Sequence, residues 1–159
     1  MVTALVLVFP ATTKAQPSLG DLVQEGNAEW LIGTWVATDD TGQDMVLSYQ
    51  WQLGKHMLSV KLKTPEFQYQ GIIIFLQSEE KVIQVGADNQ GRTGKGSWEG
   101  DYGVARLTHT LTGDYGLTET TEFAHAQVDK DTMKVSVYEV NNSGSAVYPS
   151  STITFKRKK

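Results

Sequence analysis

The sequence predicts an all-β fold in which about ten antiparallel strands follow one another as an up-and-down meander and close into a barrel. From residue 30 onward, apolar side chains alternate with polar ones, as they do in strands that bury one face. Turn residues, mainly Gly, Asn and Asp, separate these runs at short intervals. Helical periodicity is confined to a short segment before the first strand, so one small helix is expected.

The first fifteen residues have the composition of a secretory signal peptide. Residues 1–9 are almost wholly apolar, and Thr13-Lys14-Ala15 supplies a small-x-small pattern before a cleavage site. This apolar run is much shorter than the roughly 20 residues of a membrane-spanning helix, so no membrane span is predicted. Because no Lys or Arg precedes the run, the natural start is expected to lie further upstream. The sequence therefore predicts export to the periplasm or the extracellular space.

The remainder divides into an N-terminal segment, 16–29, and a single barrel domain, 30–157. Ser18 and Asp21 have the spacing of a capping box, which predicts a short helix within residues 18–29. The predicted strands are 30–38, 45–52, 56–63, 67–77, 82–87, 92–99, 104–111, 117–126, 133–140 and 151–156. Gly94 and Gly96 indicate a bend or bulge in the sixth of these.

Closure of the sheet follows from the number of strands. Ten strands are more than an open, strongly twisted sheet usually carries, and closure removes both exposed edges. A two-sheet sandwich is the alternative. Eight strands make a barrel that side chains alone can fill, so a barrel of ten strands has room for an internal cavity.

Composition excludes several classes of function. The chain has 159 residues and no cysteine, which rules out disulfides and thiolate metal sites. The formal net charge is -4 and the basic residues pool only in the tail 156–159, so no nucleic-acid partner is predicted. No stretch has the spacing of a phosphate loop, a nucleophile elbow or a calcium loop.

The candidate pocket residues are polar and aromatic side chains that could line the interior of the barrel. His56 and His109 each fall in phase with apolar residues of their strands, so both are predicted to point inward. The strand 117–126 is polar on both faces, which indicates either a polar-lined interior or an edge strand solvated on both sides. The full candidate set is His56, His109, Glu119, Glu122, Arg106, Tyr49, Trp51 and Tyr69.

Two of these candidates are carboxylates with a specific requirement. If the interior is polar, Glu119 or Glu122 is buried and needs a partner, for which Arg106 or a histidine across the barrel is available. Histidines on separate strands, including His125, have three interpretations: structural residues, ligand contacts, or ligands of a metal ion.

The first predicted strand also carries a family resemblance. Gly33-x-Trp35, placed after a short helix, resembles the opening of the lipocalin and calycin superfamily. The Gly-x-Gly-x-Trp-x-Gly pattern at 94–100 is similar to small bacterial lipocalin-like families of unknown function. The resemblance implies that Trp35 packs across the closed end of the barrel and that a basic residue near the last strand, Arg157 or Lys156, lies over it.

These observations favour an exported barrel that binds a small hydrophobic or amphipathic molecule without chemistry. The alternatives are an enzyme with a His/Glu acid–base pair and a protein-interaction module whose cavity is incidental. Haem-binding nitrobindin-like barrels open in the same way, but no histidine follows His125 to carry over their C-terminal haem ligand. No cofactor and no metal ion are therefore predicted.

Overall fold

The computed structural model describes residues 16–38, 42–101 and 103–159. The predicted signal peptide and parts of the predicted turns at 39–42 and 100–103 lie outside the described residues. The described elements are one helix, α1 (Leu19–Glu25), and the strands β1 (Gly33–Thr38), β2 (Asp44–Gln52), β3 (Met57–Lys63), β4 (Gln68–Leu76), β5 (Lys81–Asp88), β6 (Thr93–Asp101), β7 (Val104–Thr112), β8 (Thr118–Asp129), β9 (Thr132–Asn141), β10 (Gly144–Ser145) and β11 (Ser151–Arg157). Short 3-10 helices lie at Glu29–Leu31, Leu53–Lys55 and Asp114–Gly116.

Ten of the described strands form a closed antiparallel barrel. From β1 to β9 each strand pairs with the next one along the chain. Strand β11 pairs with β9 on one side and with β1 on the other, and this second pairing closes the barrel. The two-residue β10 adds only to the end of β9. The predicted meander and its closure are confirmed, and the two-sheet alternative is wrong.

The N-terminal helix begins with the capping box that the sequence predicts. The Ser18 amide donates to Asp21 Oδ2 at 2.7 Å, and the Asp21 amide donates to Ser18 Oγ at 3.2 Å. The helix ends at Glu25, inside the predicted range 18–29, because Gly26 caps it and Asn27 turns to a positive φ of 50°. No helix in the described part of the chain combines the length and apolar character needed to cross a membrane.

The end of the barrel near α1 is packed around a buried tryptophan. Trp35 is fully buried, and its indole N–H donates to the Leu31 carbonyl at 2.9 Å. The Arg157 guanidinium lies 4.1 Å from the centroid of the Trp35 ring and donates to the Ile32 and Trp30 carbonyls at 2.8 and 2.7 Å. Of the two basic residues that the resemblance allowed, Arg157 takes this position.

The sixth strand keeps a continuous pairing register at the glycines where a bend or bulge was predicted. Its register with β5 runs without a shift from Ala87 opposite Thr93 to Val82 opposite Trp98. Its register with β7 is equally continuous through Gly94 and Gly96. Because the register shifts at neither glycine, the bulge prediction is wrong. Gly94 instead leaves space for the His109 ring, and Gly96 leaves space for the Leu107 side chain. An irregularity does occur in β8, between Gln127 and Asp129.

Candidate functional site: a cavity with two histidine–tyrosine pairs

A cavity of about 220 Å³ lies inside the barrel, in the half away from α1. Its wall is mainly apolar, because strand alternation turns every second side chain inward. Leu47, Val60, Leu107, Phe123, Val135 and Phe155 form much of this wall. Five polar or amphipathic side chains also reach it: Tyr49, Tyr69, Gln84, His109 and His125. Each of the five is at most 7 % exposed, so their hydrogen bonds decide which atoms face the cavity.

The first histidine–tyrosine pair joins β8 to β2. His125 Nδ1 lies 3.1 Å from the Ala105 carbonyl, which can only accept, so Nδ1 carries the proton. His125 Nε2 is then an acceptor, and the Tyr49 hydroxyl donates to it at 3.1 Å. The Trp98 ring contacts the same imidazole, with centroids 5.1 Å apart. Both nitrogens of His125 are therefore used within the protein.

The second pair is part of a longer hydrogen-bonded chain. The Trp98 indole N–H donates to Gln84 Oε1 at 3.1 Å, which fixes the orientation of the amide. Gln84 Nε2 therefore donates to the Tyr69 hydroxyl at 3.3 Å. The Tyr69 hydroxyl lies 3.2 Å from His109 Nε2, and the two rings meet edge to face. This chain positions His109 from three other strands.

Three glycines make room for the Tyr69–His109 pair. A Cβ at Gly94 would lie 2.5 Å from His109 Nε2, which is closer than real Cβ contacts. At Gly86 and Gly71 a Cβ would lie 2.5 and 2.9 Å from the Tyr69 hydroxyl oxygen. Glycine in a strand interior commonly marks a close approach of this kind. Strands β4, β5 and β6 thus each omit one side chain where Tyr69 crosses the barrel.

Burial keeps all four members of the two pairs uncharged near neutral pH. Burial lowers the pKa of His125 to about 4, against a smaller opposite effect of its hydrogen bonds to the Ala105 and Phe123 carbonyls. Burial also lowers the pKa of His109. It raises the pKa of the hydroxyl groups of Tyr49 and Tyr69. Among the described residues that line the cavity there is no Asp, Glu, Lys or Arg, so the site is electrically neutral.

An arginine lies beside the end of the barrel opposite α1. Arg92 follows β5, and its Nε donates to the buried Asp88 at 2.7 Å. The guanidinium lies 5.9 Å from the ring centroid of Phe67, a residue of the cavity wall, and 3.8 Å from Glu119. Burial raises the pKa of Asp88, but hydrogen bonds from Arg92 and Gln90 outweigh this and leave the pKa lowered. The Arg92 charge is thus balanced outside the cavity.

Three of the predicted pocket residues line the cavity: Tyr49, Tyr69 and His109. His56 does not, because β3 begins at Met57 and His56 is an exposed residue at the end of a 3-10 helix. Trp51 is half-buried against the core without reaching the cavity. Glu119 is exposed and its ion partner is Arg92.

The last two predicted residues form an ion pair on the outside of the barrel. Arg106 Nη1 lies 2.7 Å from Glu122 Oε1, and the Ser145 hydroxyl donates to the other carboxylate oxygen at 2.8 Å. Their chain neighbours Leu107 and Phe123 line the cavity, so alternation turns Arg106 and Glu122 outward. The partnership is the one considered from the sequence, but it joins neighbouring strands and does not cross the barrel.

Sequence reasoning left two of the five polar or amphipathic cavity residues, Gln84 and His125, out of the candidate set. His125 is in phase with Phe123 on a strand whose polar character obscures its inner face, and Gln84 is a single amide in phase with Val82. Among the described residues, no group of three His, Asp or Glu side chains is placed to share a metal ion. The two histidines that line the cavity, His109 and His125, lie within hydrogen-bond distance of tyrosine hydroxyls, and His125 also donates to the Ala105 carbonyl. Comparison with protein families finds no matching family, and comparison with curated proteins finds no match.

Proposed function

We propose that this barrel binds a small, mostly apolar molecule in the cavity between β2, β4, β7 and β8. The observation that carries the proposal is the cavity of about 220 Å³, whose apolar wall is interrupted by two ordered histidine–tyrosine pairs. An apolar cavity with a few fixed polar groups is the usual form of a small-molecule site. An engineered cavity of about 150 Å³ holds benzene. In proportion to volume, a cavity of about 220 Å³ suits a molecule of about nine non-hydrogen atoms.

Native mass spectrometry of the protein from its own cellular compartment, compared with the denatured mass, tests binding. A reproducible excess mass that is lost on denaturation is expected, with a value that fits a small molecule. The absence of excess mass, together with no shift of the cavity methyl NMR signals on addition of ethylbenzene, would contradict the proposal.

A matched pair of variants links any bound mass to the cavity. Leu62 lines the cavity, whereas its neighbour Lys61 points outward and is exposed. Leu62→Trp is expected to fill the cavity and abolish the excess mass, and Lys61→Trp is expected to retain it. Equal retention by both folded variants would place the molecule elsewhere.

We further propose that the chain is exported to the periplasm or the extracellular space. The support is the signal-peptide pattern of residues 1–15. Cleavage after Ala15 would leave Ser18 and the whole capping box of α1 in the mature protein. The denatured mass from the same experiment gives the first residue, and a chain that keeps residues 1–15 would refute cleavage.

Membership of the lipocalin-like group is a separate proposal. It is supported by the closed barrel, by Gly33 and Trp35 on β1, and by the stacking of Arg157 on Trp35. Superposition of an experimental structure on lipocalin-like barrels, with Trp35 and Arg157 at the equivalent positions, is the test.

A further inference from the structure

The cavity presents an asymmetric set of hydrogen-bonding atoms. His125 Nδ1 donates to the Ala105 carbonyl and its Nε2 accepts from the Tyr49 hydroxyl, so neither ring nitrogen is free to bond to a ligand. The Tyr49 hydroxyl has only one hydrogen, and that hydrogen is already donated. Tyr49 can therefore accept a hydrogen bond from a ligand but cannot donate one.

His109 is different, because one of its nitrogens has no partner among the described residues. Tyr69 accepts from Gln84, so its own hydrogen needs an acceptor, and His109 Nε2 is the acceptor in reach. A neutral imidazole that accepts at Nε2 carries its proton on Nδ1. Among the described residues, every side-chain nitrogen or oxygen that is fully enclosed has a hydrogen-bond partner. Because His109 Nδ1 has no partner, it is not fully enclosed, and the residue lines the cavity. It is a single N–H donor inside the cavity.

Resting on the binding function proposed above, we propose that the ligand is an uncharged, mainly apolar molecule with one hydrogen-bond acceptor, such as a carbonyl oxygen, that His109 Nδ1–H contacts. Two further observations and one physical argument agree. No side chain of Asp, Glu, Lys or Arg among the described lining residues could compensate a ligand charge. The nearby Arg92 is paired with Asp88 and Glu119. A purely apolar ligand would leave the N–H without a partner.

The chain Trp98–Gln84–Tyr69 then acts by positioning. Trp98 orients the Gln84 amide, and Gln84 in turn orients the Tyr69 hydroxyl. That hydroxyl donates to His109 Nε2, the ring nitrogen that does not contact the ligand. The Tyr69 hydrogen at Nε2 holds the His109 proton on Nδ1, where it can reach the ligand. His109 is the ligand-contacting residue, and Gln84 and Tyr69 set its tautomer.

Four ligands of similar size distinguish the chemistry: ethylbenzene, acetophenone, benzoate and 2-phenylethylammonium. In calorimetric titrations near neutral pH, acetophenone is expected to bind about three- to tenfold more tightly than ethylbenzene, the effect of one added hydrogen bond. Both ions are expected to bind at least about tenfold more weakly than acetophenone. An ion that binds as tightly as the ketone would overturn the inference. Equal binding of ketone and hydrocarbon would also overturn it while leaving the binding function intact, whereas binding of none would refute the binding function itself.

Two further measurements assign the contact. In His109→Phe the advantage of acetophenone over ethylbenzene is expected to vanish, while the control His56→Phe, at an exposed histidine, keeps it. Long-range ¹⁵N–¹H NMR of the unaltered protein is expected to show His109 as the neutral tautomer protonated at Nδ1. Protonation at Nε2, or a charged imidazolium at neutral pH, would overturn the assignment even if the variant fails to fold.

Discussion

Replacing Arg157 by leucine tests how much the contacts around Trp35 at the α1 end contribute to stability. The guanidinium donates to the Trp30 and Ile32 carbonyls and lies over the Trp35 ring. Two hydrogen bonds from a charged donor contribute about 1.5 kcal/mol each, and the cation–π contact about 1 kcal/mol. Because the side chain remains 26 % exposed, water can reach part of the site and the sum is discounted. We expect the free energy of unfolding to fall by about 2 to 3 kcal/mol.

Urea unfolding followed by tryptophan fluorescence measures this loss. The midpoint is expected to fall while the slope m stays constant, because the barrel still unfolds as one unit. Arg157→Lys keeps a cation near the ring but lacks the forked donor geometry, so about half of the loss is expected. Lys158→Leu, at an exposed neighbour, controls for charge and is expected to change stability by less than about 0.5 kcal/mol. A loss in Arg157→Leu no larger than that of the control would refute the reasoning.

Two further predictions concern the cavity side chains. Gly94→Ala is expected to lower the unfolding midpoint by the equivalent of about 1 to 3 kcal/mol, because its Cβ would collide with His109, whereas Gly100→Ala on the same strand meets nothing within 4 Å and is expected to be neutral. Equal midpoints for the two variants in thermal unfolding would contradict this prediction, because they would show that β6 shifts to accommodate a Cβ at position 94. Because the folded-state pKa of His125 is lowered to about 4, the unfolded chain binds a proton that the folded protein does not, so stability is expected to fall by about 3 kcal/mol as pH drops from 6.5 to 4. His109 adds in the same direction. His125→Gln is expected to flatten this part of the profile, and an unchanged slope in urea titrations at several pH values would rule out a neutral His125.

The strand order and the inner faces were predictable because alternation is strict wherever one face is buried. A shift of one residue would turn a whole row of apolar side chains to solvent, so the sequence pattern and the register constrain each other. Tyr49, Tyr69 and His109, which are among the pocket candidates offered by the sequence, lie on the cavity wall. The pattern is weaker at strand ends. His56 continues the alternation of β3, but Leu53 and Lys55 have positive φ angles and the chain turns before the strand begins.

The partnerships inside the cavity could not be predicted from spacing. Tyr69 and His109 are 40 residues apart, and Tyr49 and His125 are 76 apart. Alternation shows which face a side chain takes, but the depth at which two distant strands meet depends on the stagger of the whole barrel. The interior glycines were visible as a signal and were misinterpreted. Gly94 leaves room for the His109 ring, and the register through it has no bulge.

The pairing of β1 with β11 also determines when this chain can complete its fold. The Arg157 contact with Ile32 joins residues 125 positions apart, so it can form only after β11 has been made. During synthesis, β1 to β9 can pair in the order in which they are made. One edge of β1 has no hydrogen-bonding partner until β11 has been synthesised. Folding of such a sheet is slowed by its long-range contact, and its exposed edge is open to pairing with other chains meanwhile. A chain that terminates before Ser151 would therefore be expected to aggregate, although every cavity side chain up to Val137 would already have been made.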